Sequence, residues 1–139
     1  MPATEVFFFK DEDGSVPVLE WLEGVRERNE RAFKKCFGLI RLLEELGHEL
    51  RRPRADILRD GVYELRTKVG NVNYRILYGF VGKDVALLAG GLTKEKKVPT
   101  REIDLAAARI EKYKTNPKAF RLNADEEEGN EDGKDNTVK

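Results

Sequence analysis

Gly61-Val62-Tyr63-Glu64-Leu65-Arg66, Tyr74-Arg75-Ile76-Leu77-Tyr78 and Val85-Ala86-Leu87-Leu88, followed by Lys94-Glu95-Lys96-Lys97-Val98-Pro99, form the stretch on which the fold turns. The three runs are short and rich in β-branched and aromatic residues. Val69-Gly70-Asn71 and Gly82-Lys83-Asp84 separate them with turn chemistry, which predicts three strands in an antiparallel meander. Apolar side chains alone would build such a sheet. The arginines and lysines in and beside it need another explanation, and a surface facing RNA phosphates supplies one.

Working upstream, Asp60-Gly61 turns the chain into the first of these strands, and His48 to Arg59 reads as a polar, irregular connection carrying Arg51, Arg52, Arg54 and Arg59. Phe33, Cys36, Phe37, Ile40, Leu43 and Leu46 fall on one stripe of a helix from about Asn29 to Leu46, with Gly47 at its end. Ser15 as a cap, Pro17 in the first turn and the spacing of Val18, Leu19, Leu22 and Val25 predict an earlier helix, closed over the core by Trp21. Val6-Phe7-Phe8-Phe9 reads as a well-covered strand ended by Asp11-Glu12-Asp13-Gly14. Downstream, Pro99 opens a last helix whose buried stripe is Ile103, Ala106, Ala107, Ile110 and Tyr113, and which stops before Asn116-Pro117. The expected order is β-α-α-β-β-β-α, an α/β (α+β) fold without internal repeats.

With 139 residues, 40% of them hydrophobic, the chain suffices for one domain with a real core. No window approaches the roughly 18 consecutive apolar residues of a membrane span, and Phe7-Phe8-Phe9 is hemmed by Glu5, Lys10 and Asp11 rather than preceded by a basic segment. A cytoplasmic protein without membrane contact is the expectation. Cys36 is the single cysteine, and its apolar neighbours mark it as a small buried hydrophobe. The zero net charge conceals an asymmetry: residues 123–139 hold seven acids against two bases, while residues 1–122 hold 24 bases against 19 acids. A segment of that composition cannot bury enough surface to offset its ordering entropy. Residues 1–122 are therefore expected to form the domain, and residues 123–139 a disordered acidic tail with a net charge of −5 against a body of +5.

One histidine and one cysteine leave no metal-ligand cluster and no Ser-His or Cys-His nucleophile to expect, and no cofactor site is foreseen. His48, just past Gly47, is placed to meet helix-terminal carbonyls. Ala89-Gly90-Gly91-Leu92 lacks the Gly-Lys-Ser/Thr ending of a nucleotide-binding loop. RNA cleavage, by contrast, runs on a cationic surface, because the 2′-hydroxyl is an internal nucleophile that the protein has to align while stabilising a charged phosphorane. Strand alternation puts Glu64 and Arg66 on one face. Arg75 on the next strand can meet either Glu64 or a phosphate; a Glu64–Arg pair that merely sets register competes evenly with a functional role. An Arg75 that served only phosphate would be removable with little loss of folding. Lys96 and Lys97 read equally as an RNA-binding or a solvated loop.

At these residues the chain resembles the RelE/ParE superfamily of toxins from type II toxin–antitoxin systems, in particular the phage-associated HigB-like branch. The carriers are Gly61 to Arg66, Tyr74 to Tyr78, Leu87-Leu88, Lys94, Lys97, Pro99, and Arg101-Glu102-Ile103 with Ala106 and Arg109, within roughly Val6 to Lys114. The resemblance implies a RelE-like fold with a twisted, mainly antiparallel sheet, and a metal-independent endoribonuclease (mRNA interferase) that cuts mRNA on the ribosome and inhibits translation. Its partners would be the ribosome and mRNA, and a cognate antitoxin, a small helix-turn-helix protein. Arg75 matches the strand arginine set against the scissile phosphate and Lys94 the basic residue after the last strand, with Glu64 or Arg66 assisting. Lys96, Lys97, Arg101 and Lys68 would hold RNA. Where relatives often read His-Gly-Phe and a lysine pair this chain has Ala89-Gly90-Gly91, Leu92 and Thr93-Lys94, and Thr100 stands where many have a tyrosine. The alternatives are a ParE-like, non-catalytic block of a DNA topoisomerase, or an inactive antitoxin-binding relative.

Overall fold

The computed structural model describes residues 4–93 and 96–123. Along the chain come β1 (Glu5–Phe9), α1 (Pro17–Arg28), α2 (Glu30–Leu46), a single 3-10 turn (Gly47–Glu49), β2 (Ala55–Arg59), β3 (Val62–Val69), β4 (Val72–Val81), β5 (Val85–Thr93), α3 (Thr100–Thr115) and β6 (Arg121–Asn123). The strands form one mostly antiparallel sheet in the order β2-β3-β4-β5-β1-β6, in which only β1 and β5 run parallel. The mixed α+β class and the central β3-β4-β5 meander agree with the sequence reading.

Helices cover both faces of this sheet, which suits the unbroken apolar runs Val6 to Phe9 in β1 and Ile76 to Tyr78 in β4. Val6, Phe8, Leu65, Ile76, Tyr78 and Leu88 pack with Val18, Leu22, Cys36 and Ile40 of α1 and α2. Phe7, Phe9, Leu77 and Leu87 pack with Ile103, Ala106, Ile110 and Tyr113 of α3. Successive residues of one strand thus feed two separate cores. Cys36 lies inside the first, and burial pushes its thiol up to about 12, so it is no reactive nucleophile.

Two strands extend the expected order at its edges. β2 occupies part of the segment read as irregular, pairing Ala55 with Leu65 and Ile57 with Tyr63 before a register shift ahead of Arg59. An edge strand with one solvated face needs few apolar residues, and the surrounding arginines hide the alternation. β6 is three residues long and pairs antiparallel with Phe7 to Phe9. No periodicity is readable at that length. Asn123 therefore belongs to the sheet, and the acidic segment from residue 124 onward lies outside the described residues.

Helix starts also differ in detail. Ser15 does not cap α1: its hydroxyl donates to Asp13 Oδ1 at 2.7 Å, the cap position is Val16, and the Val16 N–H is held by Glu20 Oε2 at 3.3 Å. Pro17 stands at the first position as expected. Asn29 caps α2 by accepting from the Ala32 N–H at 3.1 Å, and Gly47 ends it at φ +51°. His48 does not bond helix carbonyls among the described residues but stacks on Phe80, ring centroids 3.7 Å apart.

Candidate nucleic-acid interface

The β3–β4 register sets Arg66 opposite Arg75 and Glu64 opposite Leu77, so Glu64, Arg66 and Arg75 project from the face that α3 covers. Two guanidiniums facing each other across a ladder repel. Glu64 resolves this by lying between them: Oε1 accepts from Arg75 Nη1 at 2.8 Å and Oε2 from Arg66 Nη1 at 3.4 Å. Glu64 is 3% and Arg75 6% exposed, and burial of both charges is tolerable only because each meets its opposite. The Arg66 side chain stays 37% exposed. Arg75 also donates through Nη2 to the Lys96 carbonyl at 2.7 Å, which pins the segment leading into α3 onto the end of the sheet.

The predicted site residues thus divide. Glu64, Arg66 and Arg75 come together as one ion-paired triad, with Lys68 exposed further along β3 on the same face. Lys96 and Lys97 are exposed, and the Lys96 main chain joins the triad. Arg101 stands apart, its side chain 83% exposed beside Glu102 at 3.7 Å. Lys94 lies outside the described residues. Among the described residues no three His, Cys, Asp or Glu side chains cluster as a cation site requires, and no helix is long and apolar enough to cross a membrane. Glu64 is the ion-pair partner of Arg75 on the diagonal of the ladder, and its chemical role is a separate question.

Arg109 was not singled out as a site residue, although it stands directly before Ile110 of the buried stripe. The β4–β5 ladder pairs Tyr78 with Leu88 and Leu77 with Gly90, so Ala89 is bulged out of register. Arg109 Nη1 donates to the freed Ala89 carbonyl at 2.7 Å while its guanidinium stands 5.9 Å from the Phe9 ring centroid. Desolvation lowers its pKa, against the raising influence of Asp11 and Glu102. A long cation beside the apolar stripe of a helix was the available signal.

On the opposite face Trp21 packs against β5. Its Nε1 donates to Thr93 Oγ1 at 2.9 Å, and the ring lies against the backbone at Gly91, where an added Cβ would come within 2.7 Å of the indole Cγ. Only glycine fits beneath it.

With this arrangement of strands and helices established, a family model becomes interpretable: that of the phage-derived Gp49-like proteins (DUF891) matches residues 20–111, from α1 into the last turns of α3. The chain belongs to that family. The match spans about two thirds of the sequence and includes the whole Glu64–Arg66–Arg75 triad. The Gp49-like family is related to RelE/ParE-type toxins, which agrees with the broader of the two resemblances read from the strands. No curated protein matches the chain.

Proposed function

We propose that this Gp49-like protein is the toxin of a type II toxin–antitoxin pair, HigB-like in its chemistry, and that it cleaves ribosome-bound mRNA until a helix-turn-helix antitoxin neutralises it. The observation that carries this reading is the triad beneath the Lys96–Lys97 segment: a buried carboxylate holding two guanidiniums, one of them open to solvent, at the end of the sheet where α3 begins. Half-exposed Arg66 and exposed Lys68, Lys96 and Lys97 meet phosphate first. Displacement of the Lys96 carbonyl then releases Arg75 Nη2 toward the scissile phosphate. The 2′-oxygen attacks phosphorus as its proton passes to Glu64, the P–O5′ bond breaks to leave a 2′,3′-cyclic phosphate, the departing 5′-oxygen takes a proton from water, and the cations stabilise the phosphorane charge. Lys94 and Arg101 take part as further cations.

The burial of Arg75 specifically favours one competitor, a binding-only toxin of the ParE kind, because a guanidinium already spent on Glu64 and a carbonyl is not free for phosphate. Tightly controlled expression with mapping of mRNA ends separates the two. The expected result is translation-linked cutting by the natural chain and at least about 100-fold less by the charge-balanced Glu64→Gln/Arg75→Met variant, the loss typical of one transition-state contact. Growth inhibition without new mRNA ends, accompanied by a topoisomerase block, would replace the nuclease reading with the competitor.

A further inference from the structure

Tyr74 and Arg75 are consecutive in β4 and face opposite sides of the sheet, as do their partners Thr93 and Leu92 in β5. Directly behind the cation triad, on the α1 side, lies a cleft of about 570 Å³ bordered by Trp21, Val25, Val72 and Tyr74 together with Arg28 and Thr93. Its size falls within the ordinary range for small-ligand sites. Two aromatic side chains, two aliphatic ones, a cation and a hydroxyl make an unusual lining for a packing defect. It matches a flat heteroaromatic ring that carries a phosphate.

The cleft is also built before any ligand arrives. Trp21 is fixed by Thr93 at 2.9 Å and by its seat on Gly91, so ordering that ring costs nothing at the moment of binding. α1 contributes Gly24 to the wall, where an added Cβ meets nothing within 4 Å; the space is open. Arg28, on the same helix, is exposed. Thr93 continues toward Lys96 and Lys97, so the cleft and the cation face share one end of the sheet.

We propose that this cleft holds one unstacked nucleobase of a single-stranded RNA, stacked on Trp21 over a floor that includes the buried Tyr74, with a flanking phosphate on Arg28. The identity of the occupant rests on the RNA reading given above, while the binding itself requires no cleavage. An RNA strand engaged on the triad side would thus place a neighbouring base behind the sheet end, and the cleft would set base preference.

Trp21 is the only tryptophan, so tryptophan emission, excited at wavelengths where the four tyrosines do not absorb, reports this cleft alone. The full chain is titrated with 2′-O-methyl hexauridylate and hexaadenylate, which cannot be cut, at two salt concentrations. The expected result is a saturable change in Trp21 emission. Gly24→Phe, which plugs the cleft from a solvent-open helix position, weakens binding by about 5- to 150-fold, the range of one base–aromatic stack. Gly38→Phe, an equally open position in α2 outside the cleft, binds as the natural chain does. Arg28→Glu weakens binding and lowers the logarithmic salt slope by about 0.7. Circular-dichroism melts check folding, and if Gly24→Phe is unfolded, an Arg28→Glu affinity and slope equal to the natural chain's overturn the proposal. It is overturned equally by a folded Gly24→Phe that binds normally, or by a Trp21 signal that ignores RNA and answers only to a protein partner. RNA binding that is lost in Gly24→Phe, in a chain that makes no mRNA cuts, upholds the cleft and removes the nuclease; cutting together with normal binding by Gly24→Phe does the reverse.

Discussion

Arg75 is held by Glu64 at 2.8 Å and by the Lys96 carbonyl at 2.7 Å, so both ends of its guanidinium are engaged within the fold. Its charge among apolar strand neighbours was legible, and so was Glu64 as a candidate partner at alternating spacing. Its burial was not, because the cover comes from the Lys96 main chain, twenty-one residues on, through a hydrogen bond that no side-chain pattern encodes. The energetic consequence reverses a sequence-level expectation. Removing Arg75 leaves a carboxylate that is 3% exposed with only the longer 3.4 Å contact to Arg66, and breaking a buried pair from one side costs about 3–5 kcal/mol. Arg75→Met is therefore expected to lose that much folding stability, and Glu64→Gln, which keeps an acceptor, less. The Glu64→Gln/Arg75→Met double variant should regain part of the loss, since the one charge left without its partner, Arg66, is 37% exposed and solvated. Urea denaturation of the four proteins in a double-mutant cycle checks this; additive losses would mean the pair contributes nothing as a pair, whatever its 2.8 Å geometry.

At the scale of the element, the meander was legible because its turns carry glycine and its strands carry β-branched and aromatic residues, whereas β2 and β6 escaped for lack of either a length or an alternation to read. The β5 segment Ala89-Gly90-Gly91 lay between these cases. In sequence its two glycines are equivalent, and only the fold separates them: a Cβ at Gly90 meets nothing nearer than 3.9 Å, while one at Gly91 collides with a Trp21 ring pinned by Thr93. Gly91→Ala is expected to destabilise by about 1–3 kcal/mol, as overpacking against a fixed neighbour does, and Gly90→Ala to be nearly neutral. Melting curves with Trp21 emission as the probe show both effects in one experiment. Equal melting of the two variants would mean that Trp21 moves freely and that its bond to Thr93 does not fix it.

At the scale of the whole molecule, the sequence divides its charge between a basic body and an acidic C-terminal segment, and the fold decides where the two can be cut apart. The aromatic run of β1 marked a well-covered strand, but the boundary read at residue 122 lies inside β6, where Asn123 pairs with Phe7. A truncation that tests the acidic segment without damaging the sheet therefore begins at residue 124. It removes seven acids and two bases and leaves a chain of net charge +5. Because attraction between a basic surface and RNA phosphates is electrostatic and acids on the same chain oppose it, the truncated protein should bind RNA or ribosomes as well as the full chain or more tightly. Its melting temperature should be unchanged, since β6 and both cores are intact. The gain must also shrink as salt rises, because the screening length falls from about 10 Å at 0.1 M to about 3 Å at 1 M. Binding at these two ionic strengths, beside a thermal melt, tests all three. Weaker binding after truncation would make residues 124–139 a source of contacts, and a gain that persists at 1 M salt would show that their effect is not one of charge.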